Sequence, residues 1–559
     1  MHPASLTRRV VQLALVLAVA LITIGQILRP GLNQDVRYVI GVLDSAGAAG
    51  VPWTEVWAHR PMAARGVVAL LAALSPGEFW VQEVAFRTWC VAFAAGAAVV
   101  LWRGVRGWST PRVALWSALA VGAALAWAPG WDFAEPEWFA AVLAVAAIGL
   151  ALWAAPTAPA EGAAAPLRHS ARWQPAAAGL LLGLVVLLKF TTAATALAAL
   201  LVILVVDRDR AIRAAIFTGL SATGLLALTV LLEPREWQWI GDMPTLNPGF
   251  SAGALPKVVE GLVNSAIVSP ATLVGLVAIG WLLLNGGRDR RVGFAALAVL
   301  VVLTVPFLVQ QQNFLYHLAG LPMAAAGLTG AVAARCRRLP SALPITAILG
   351  LLSSVGVFAI GPRTRSANWW VGAAVVAAVL VIGLALLARR RRARGVGRAA
   401  TVLLIAVACL APLVVTASPR TAYSFSLAHN RTTPADNLGH ALAGADRRER
   451  VRAVLPGDDR VVYLSFAAPY WVGNPSPCAY VSPTFLQRAH GQHSGAIAAT
   501  TSYAENLACL DDPSVQAIVI EPGWFDLDRA RPEVRAGLRA NFDCGRRIDV
   551  EDLVICPRR

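Results

Sequence analysis

Charge is what this 559-residue chain has little of: 14% of its residues are Asp, Glu, Lys or Arg, against 57% hydrophobic. That ratio excludes an ordinary soluble protein and implies a polytopic membrane protein. Lysine is almost missing. Lys189 and Lys257 are the only two, so the net charge of +16 is carried by arginine. The arginines recur in small clusters between apolar runs and gather in no single tract, which argues against a nucleic-acid-binding face. The chain has no Walker A sequence, no GxGxxG after a strand and no His/Cys pair at metal-ligand spacing, so a nucleotide-driven cytoplasmic enzyme is not indicated.

Long apolar runs are abundant. Runs of membrane-spanning length fall near 9–28, 82–102, 112–128, 137–154, 174–188, 190–206, 213–232, 268–285, 292–309, 315–334, 342–360, 369–388 and 399–417. This predicts about thirteen spans in a mainly α-helical transmembrane bundle. Arg8/Arg9, Arg103/Arg106/Arg112, Arg168/Arg172, Arg208/Arg210/Arg213, Arg288/Arg290/Arg291, Arg335/Arg337/Arg338 and "RRRRAR" at 389–394 occupy alternate loops. The positive-inside rule then puts the N-terminus in the cytoplasm and 418–559 outside a plasma (inner) membrane. The first run is long and lacks a small-residue cleavage site, so it reads as an uncleaved span. The tight joint "LLKFTT" decides the parity: were runs five and six one helix, every later loop would change sides.

The last 140 or so residues change character. Alternating segments "DRVVYLSF" and "VQAIVIEPGWF", turn signals "PGDD" and "NPSP", and a helical stretch near 498–510 predict a small α/β domain over 418–559, after a transmembrane domain over 1–417. "GHALAGADRRER" reads as a helix opening it. Its Cys478, Cys509, Cys544 and Cys556 suit two disulfides in an oxidising compartment, with three pairings open. Four unpaired, partly buried thiols are the alternative.

The predicted first outer loop, 29–81, is too long for a simple connection. It contains Asp35, Asp44, Glu55, His59 and Arg60, followed by "RPMAARGVVALLAAL", which is apolar but short and predicts a re-entrant or juxtamembrane helix. A cavity at the membrane surface is implied.

Along the chain stand, in order, Asp35, Tyr38, "HRP" at 59–61, "EVAFR" at 83–87, "DFAEPEWFAAVLAVAAIGLAL", "GLLLGLVVLLKFT" and "QQQNFLYHLAGLP". Together these elements resemble the GT-C superfamily of membrane glycosyltransferases, which use polyprenyl-phosphate-linked sugars. Their order and spacing carry the resemblance, which covers roughly residues 10–340. Two positions depart from it. Val36 stands where many relatives have a second acid, and Asn313 where the family has a lysine.

The resemblance implies a transferase whose donor is a polyprenyl-phosphate sugar, with membrane lipid and a cell-envelope glycan or glycolipid acceptor as partners. Transfer to a hydroxyl needs a base within reach of its proton, and Asp35 is the candidate for an inverting reaction. Its alternative role is to cap a helix starting at Val36. Asp44 and Glu55 read as solvated loop charges. His59 and Arg60 are candidates for the donor phosphate, where an Arg offers a bidentate fork, although an outer Arg beside lipid headgroups needs no ligand. Of Asp132, Glu135 and Glu137, relatives imply that one orients the acceptor or holds a divalent cation; otherwise Glu135 and Glu137 open a helix at its positive end. Lys189 marks a polar cavity and donor phosphate, or snorkels to the interface. Tyr316 and His317 are candidates for sugar or phosphate oxygens, or ordinary interfacial residues. Arg363 and Arg365 break the positive-inside trend and suggest an anionic partner. No cofactor beyond the donor and a candidate cation is implied. Mannose and arabinofuranose are the favoured sugars by analogy. A transporter or lipid flippase, and a non-catalytic envelope scaffold, are the competing classes, but a transporter predicts inverted hydropathy repeats that the chain does not display.

Overall fold

In the computed structural model, residues 17, 19–28, 31–153, 173–246, 254–310, 314–336, 339–360, 364, 368–389, 434–490 and 494–559 are described. After α1 (Val19–Leu28), two helices fill the first loop, α2 (Gln34–Ala48) and α3 (Met62–Ala73). Next come α4 (Phe79–Val105), α5 (Pro111–Ala126), α6 (Pro136–Leu152), α7 (Trp173–Leu188), α8 (Ala193–Val206) and α9 (Arg208–Leu232). A short helix, α10 (Arg235–Leu246), precedes α11 (Ala254–Val268) and α12 (Ala271–Asn285), which are bent by 95° at their joint. The series continues through α13 (Gly287–Gln310), α14 (Gly320–Arg335), α15 (Ala342–Ala359) and a helix at Trp369–Ala388. Among the described residues six helices are long and apolar enough to cross a membrane, seven if the bent pair is one span, and six shorter apolar helices accompany them. The chain is thus mainly helical and multi-pass. The run predicted at 399–417 lies outside the described residues.

The joint at Lys189 is a reversal. Lys189 lies beside Glu137 at the start of α6, whereas Arg210 donates to the carbonyl of Ala151 at the other end of α6, 2.8 Å away. The chain therefore runs back along α6 between them, and α7 and α8 are two helices, not one continuous helix. Locally, Lys189 is extended and the Thr192 hydroxyl takes up the carbonyls of Val185 and Lys189, which closes α7 without a glycine.

Near the C-terminus a four-stranded sheet has the order β1-β2-β4-β3. Strand β1 (Val461–Leu464) pairs in parallel with β2 (Ala517–Ile520), and β4 (Leu553–Pro557) runs antiparallel to both β2 and β3 (Ile548–Val550). The continuous apolar runs VVYL and AIVI fit strands buried on both faces. Val461, Tyr463 and Val519 share a core with α2, while Val462, Leu464 and Ile518 share one with Trp57, Trp239 and Tyr503. The sheet is therefore packed on one side against the first loop. Gly41 permits this approach, since a Cβ there would lie 2.2 Å from the backbone nitrogen of Tyr470. Cys478 is bonded to Cys509 and Cys544 to Cys556. "GHALAGADRRER" forms parts of two short helices, Pro434–Leu442 and Gly444–Arg452.

Two buried glutamates fix the first loop. Glu83 accepts from the backbone of Leu32 at 2.7 Å, from Arg37 at 2.6 Å and from the Tyr470 hydroxyl at 3.1 Å. Arg87, one helical turn on, donates to the carbonyl of Gly31 at 2.7 Å. The "EVAFR" segment thus holds the start of α2. Glu236 of α10 does the same for α3, accepting from Met62 N at 2.7 Å and Arg65 at 2.9 Å.

Candidate active site

Helix α2 begins with Asn33 as its cap, the side chain accepting from Asp35 N at 3.2 Å. Asp35 is therefore not the cap that the sequence offered as an alternative. It lies in the first helical turn, where the helix dipole favours its negative charge. Its carboxylate, 19% exposed, meets Arg60 at 2.9 Å. The same guanidinium reaches Glu135 at 3.2 Å, and Glu135 accepts a second bond from the Asn33 amide at 2.6 Å. Residues far apart in sequence are so joined in one chain of contacts, Asp35–Arg60–Glu135–Asn33.

A second group adjoins it. Glu137, in the first turn of α6, is 2.7 Å from both Lys189 Nζ and His317 Nδ1. The Gln310 amide lies 3.2 Å from the same imidazole nitrogen, and Tyr316 places its ring 5.1 Å from Lys189 Nζ. Glu135 is the residue preceding α6, and Glu137 sits near its positive end, so the helix-opening reading holds for the backbone. Their side chains nonetheless turn to Arg60, Lys189 and His317. Lys189 does not snorkel from an apolar run; it is ion-paired and 19% exposed within this cluster.

Burial and neighbouring charge set the electrostatics. Burial, then Asp35, push the Glu135 carboxyl well above its ordinary range, with Arg60 opposing. Burial, then Glu137, raise Asp132 likewise. Burial opposes the charge of Arg60, but Glu135 and Asp35 outweigh it and hold the guanidinium charged. Three polar atoms here are buried without a hydrogen-bond partner: Oδ1 of Asp132, Oε2 of Glu137 and Nε2 of His317. The turns that aim these groups are strained, with His59 and Ala134 at φ 55 and 67, a left-handed geometry that concentrates at functional sites.

The sequence candidates divide accordingly. Asp35, Arg60, Glu135, Glu137, Lys189, Tyr316 and His317 are brought together, with Asp132 beside Glu137. His59 is occupied elsewhere: its Nε2 is hydrogen-bonded to Thr484, and its ring packs against Tyr38 and Trp57. Burial, then Arg488 and Arg60, keep that imidazole neutral, which does not suit a phosphate cation. Asp44 is exposed on α2 within the first loop, and Glu55 lies 3.6 Å from Arg235. Arg363 and Arg365 lie outside the described residues. Asp132, Glu135 and Glu137 do not fit a divalent cation, because Glu135 faces Arg60 and Glu137 faces Lys189 and His317; among the described residues no group of acids, histidines and cysteines converges as ligands. Asn33, Gln310 and Thr484 were not singled out from the sequence. Asn33 carried a signal, as a capping residue two positions before the first-loop acid.

No protein-family model matches the chain, nor does any curated protein. Among solved structures, it superposes on ArnT from Cupriavidus metallidurans in the apo state with a TM-score of 0.54, at 15% identity over 98% of each chain. With the same protein bound to undecaprenyl phosphate the TM-score is again 0.54, at 17% identity over 98% of this chain and 97% of that one. The fold is that of the GT-C glycosyltransferases.

Proposed function

We propose that this protein is a membrane glycosyltransferase that moves a sugar from a polyprenyl-phosphate donor to a hydroxyl of a cell-envelope glycan or lipid, with inversion. The observation that carries the reading is the partly exposed Asp35 carboxylate, held by Arg60 next to the Glu137–Lys189–His317 group at one end of the bundle. The likeness to a structure holding undecaprenyl phosphate supports the donor class. Charge concentrated at the helix ends also favours an enzyme over a transporter, which would need ionisable groups near the midplane.

In this reading the acceptor oxygen attacks the anomeric carbon while Asp35 accepts the hydroxyl proton. The bond from that carbon to the phosphate oxygen breaks, and its electron pair leaves with the polyprenyl phosphate. Lys189 and Arg60 stand where charge gathers on that phosphate, as preorganised donors do. Glu137 and His317 orient Lys189. The site end of the bundle faces the outside, the C-terminal α/β domain over 418–559 lies there, and the N-terminus is cytoplasmic, as the arginine asymmetry requires. Mannose and arabinofuranose are the sugars to try first.

Membranes containing the protein should be incubated with radiolabelled polyprenyl-phosphate sugars, one donor at a time. One donor should yield labelled envelope material above control membranes. Absence of label from every polyprenyl-phosphate sugar, with folded protein present, would contradict the reading.

A further inference from the structure

The turn that carries Arg60 is held from the far end of the sequence. Residues 475–484 lie between the C-terminal sheet and the first loop. On the sheet side, the backbone nitrogens of Val461 and Tyr463 in β1 donate to the carbonyls of Pro475 at 2.8 Å and Val481 at 3.0 Å. On the loop side, Ser476 N donates to the carbonyl of Ser45 at 2.9 Å, and Trp57 N to that of Ala479 at 2.7 Å. The Cys478–Cys509 disulfide ties the middle of the segment to the helix Thr501–Asp511. At its end, the buried Thr484 hydroxyl is hydrogen-bonded to His59 Nε2.

Residues 57–60 need such support. His59 has φ 55, a left-handed backbone that a non-glycine residue keeps only where its surroundings over-determine it. Within the first loop its ring meets those of Tyr38 and Trp57, at 4.9 and 5.7 Å between centroids, and Arg65 Nη1 donates to the carbonyl of Arg60 at 2.9 Å. Ring contacts leave the imidazole free to slide, whereas the bonds from Trp57 N to Ala479 and between His59 Nε2 and Thr484 fix both sides of the turn. Arg60 follows directly, and its Nη2 reaches both Asp35 at 2.9 Å and Glu135 at 3.2 Å. A guanidinium serving two carboxylates tolerates little rotation of its backbone, so a shift at His59 passes to the charge beside the reacting carboxylate.

We infer that Thr484 is a positioning residue of the transfer: through His59 it holds Arg60 on Asp35 and Glu135, so that the C-terminal segment sets the geometry of a centre built by the first loop and α6. The inference rests on the proposed glycosyl transfer and goes beyond it, because that reaction assigns no task to residues 434–559.

Turnover and melting temperature of purified full-length variants test it. Thr484→Val removes the hydroxyl at nearly constant volume and should lower kcat about tenfold or more, since misplacing a group by about an ångström can cost about a hundredfold. The acceptor KM should stay within about twofold of wild type, because the loss falls on the transition state. Thr484→Ala should repeat the loss, so that the result does not hang on one variant's folding. Thr484→Ser, which keeps the hydrogen bond, should restore transfer to within about threefold of wild type. Combining Thr484→Val with Arg60→Gln separates positioning from general support of the fold: residues that act through one another are not additive, so in the Arg60→Gln background the valine should cost less than about twofold more. A folded Thr484→Val chain with wild-type turnover would overturn the role of Thr484, as would a loss that persists undiminished in the Arg60→Gln background; both leave the glycosyl-transfer reading standing. A wild type that transfers sugar from no polyprenyl-phosphate donor would overturn that reading and the inference with it.

Discussion

Glu83 and Glu236 are buried as deeply as Glu137, yet their surroundings differ. Both oxygens of Glu83 are used, by Leu32 N, Arg37 and Tyr470, and both of Glu236, by Met62 N and Arg65. Around Glu137 one oxygen takes Lys189 and His317 while the other has no partner, and the far nitrogen of His317 and one oxygen of Asp132 are likewise unmet. Buried charge is tolerated where hydrogen bonds are complete, and an incomplete set costs stability that a fold does not retain for its own sake. The satisfied pair anchors α2 and α3. The unsatisfied group, beside the partly exposed Asp35, is where a ligand would supply what is missing.

Substitutions can break that division. Glu83→Ala should show the largest effect on folding, about 3–5 kcal/mol, because it strands a buried Arg37; a thermal or denaturant melt equal to wild type would remove the anchor role. Glu137→Gln should fall on transfer more than on stability. Losing one charged hydrogen-bond partner is worth about 1–3 kcal/mol, or roughly ten- to a hundredfold in rate, and turnover measured beside melting temperature separates the two. Gly41→Ala should cost about 1–3 kcal/mol by overpacking α2 against Tyr470, seen as a lower melting temperature.

The smallest effect sharpens the comparison through pH. Burial raises the Asp132 carboxyl, so its contribution to stability is fully present below the ordinary carboxylate range and is lost as pH rises through its folded value. Asp132→Asn mimics the protonated form. The variant should melt like the wild type in acid and increasingly above it as pH is raised; a constant difference across pH would show that Asp132 does not titrate in this way.

Much of this was legible in the residues. The apolar runs from 82–102 to 369–388 coincide with helices, as do the described residues of the run at 9–28, and the joint at Lys189 is a reversal. VVYL and AIVI gave the two buried strands, since continuous β-branched runs of that length have few other uses. Of the site, Asp35, Arg60, Glu135, Glu137, Lys189, Tyr316 and His317 were named in advance. Their pairing was not, because Arg60 could bind lipid, phosphate or carboxylate, and only the packing of the first loop on α6 decides among these. Helix α2, which carries Asp44, was not legible because it does not show as a long apolar run. Thr484 had no local signal at all: it matters through a contact 425 residues away in sequence, which a pattern search along the chain does not see.

The central claim is that Asp35 removes the acceptor proton during transfer from a polyprenyl-phosphate sugar. It is tested most directly by comparing wild type and Asp35→Asn in reconstituted membranes, with donor binding and transfer measured on the same preparations. The account predicts donor affinity within about twofold of wild type and transfer lower by about 10²- to 10⁴-fold, the usual contribution of a general base. A folded Asp35→Asn protein that transfers sugar at near wild-type rate would contradict it.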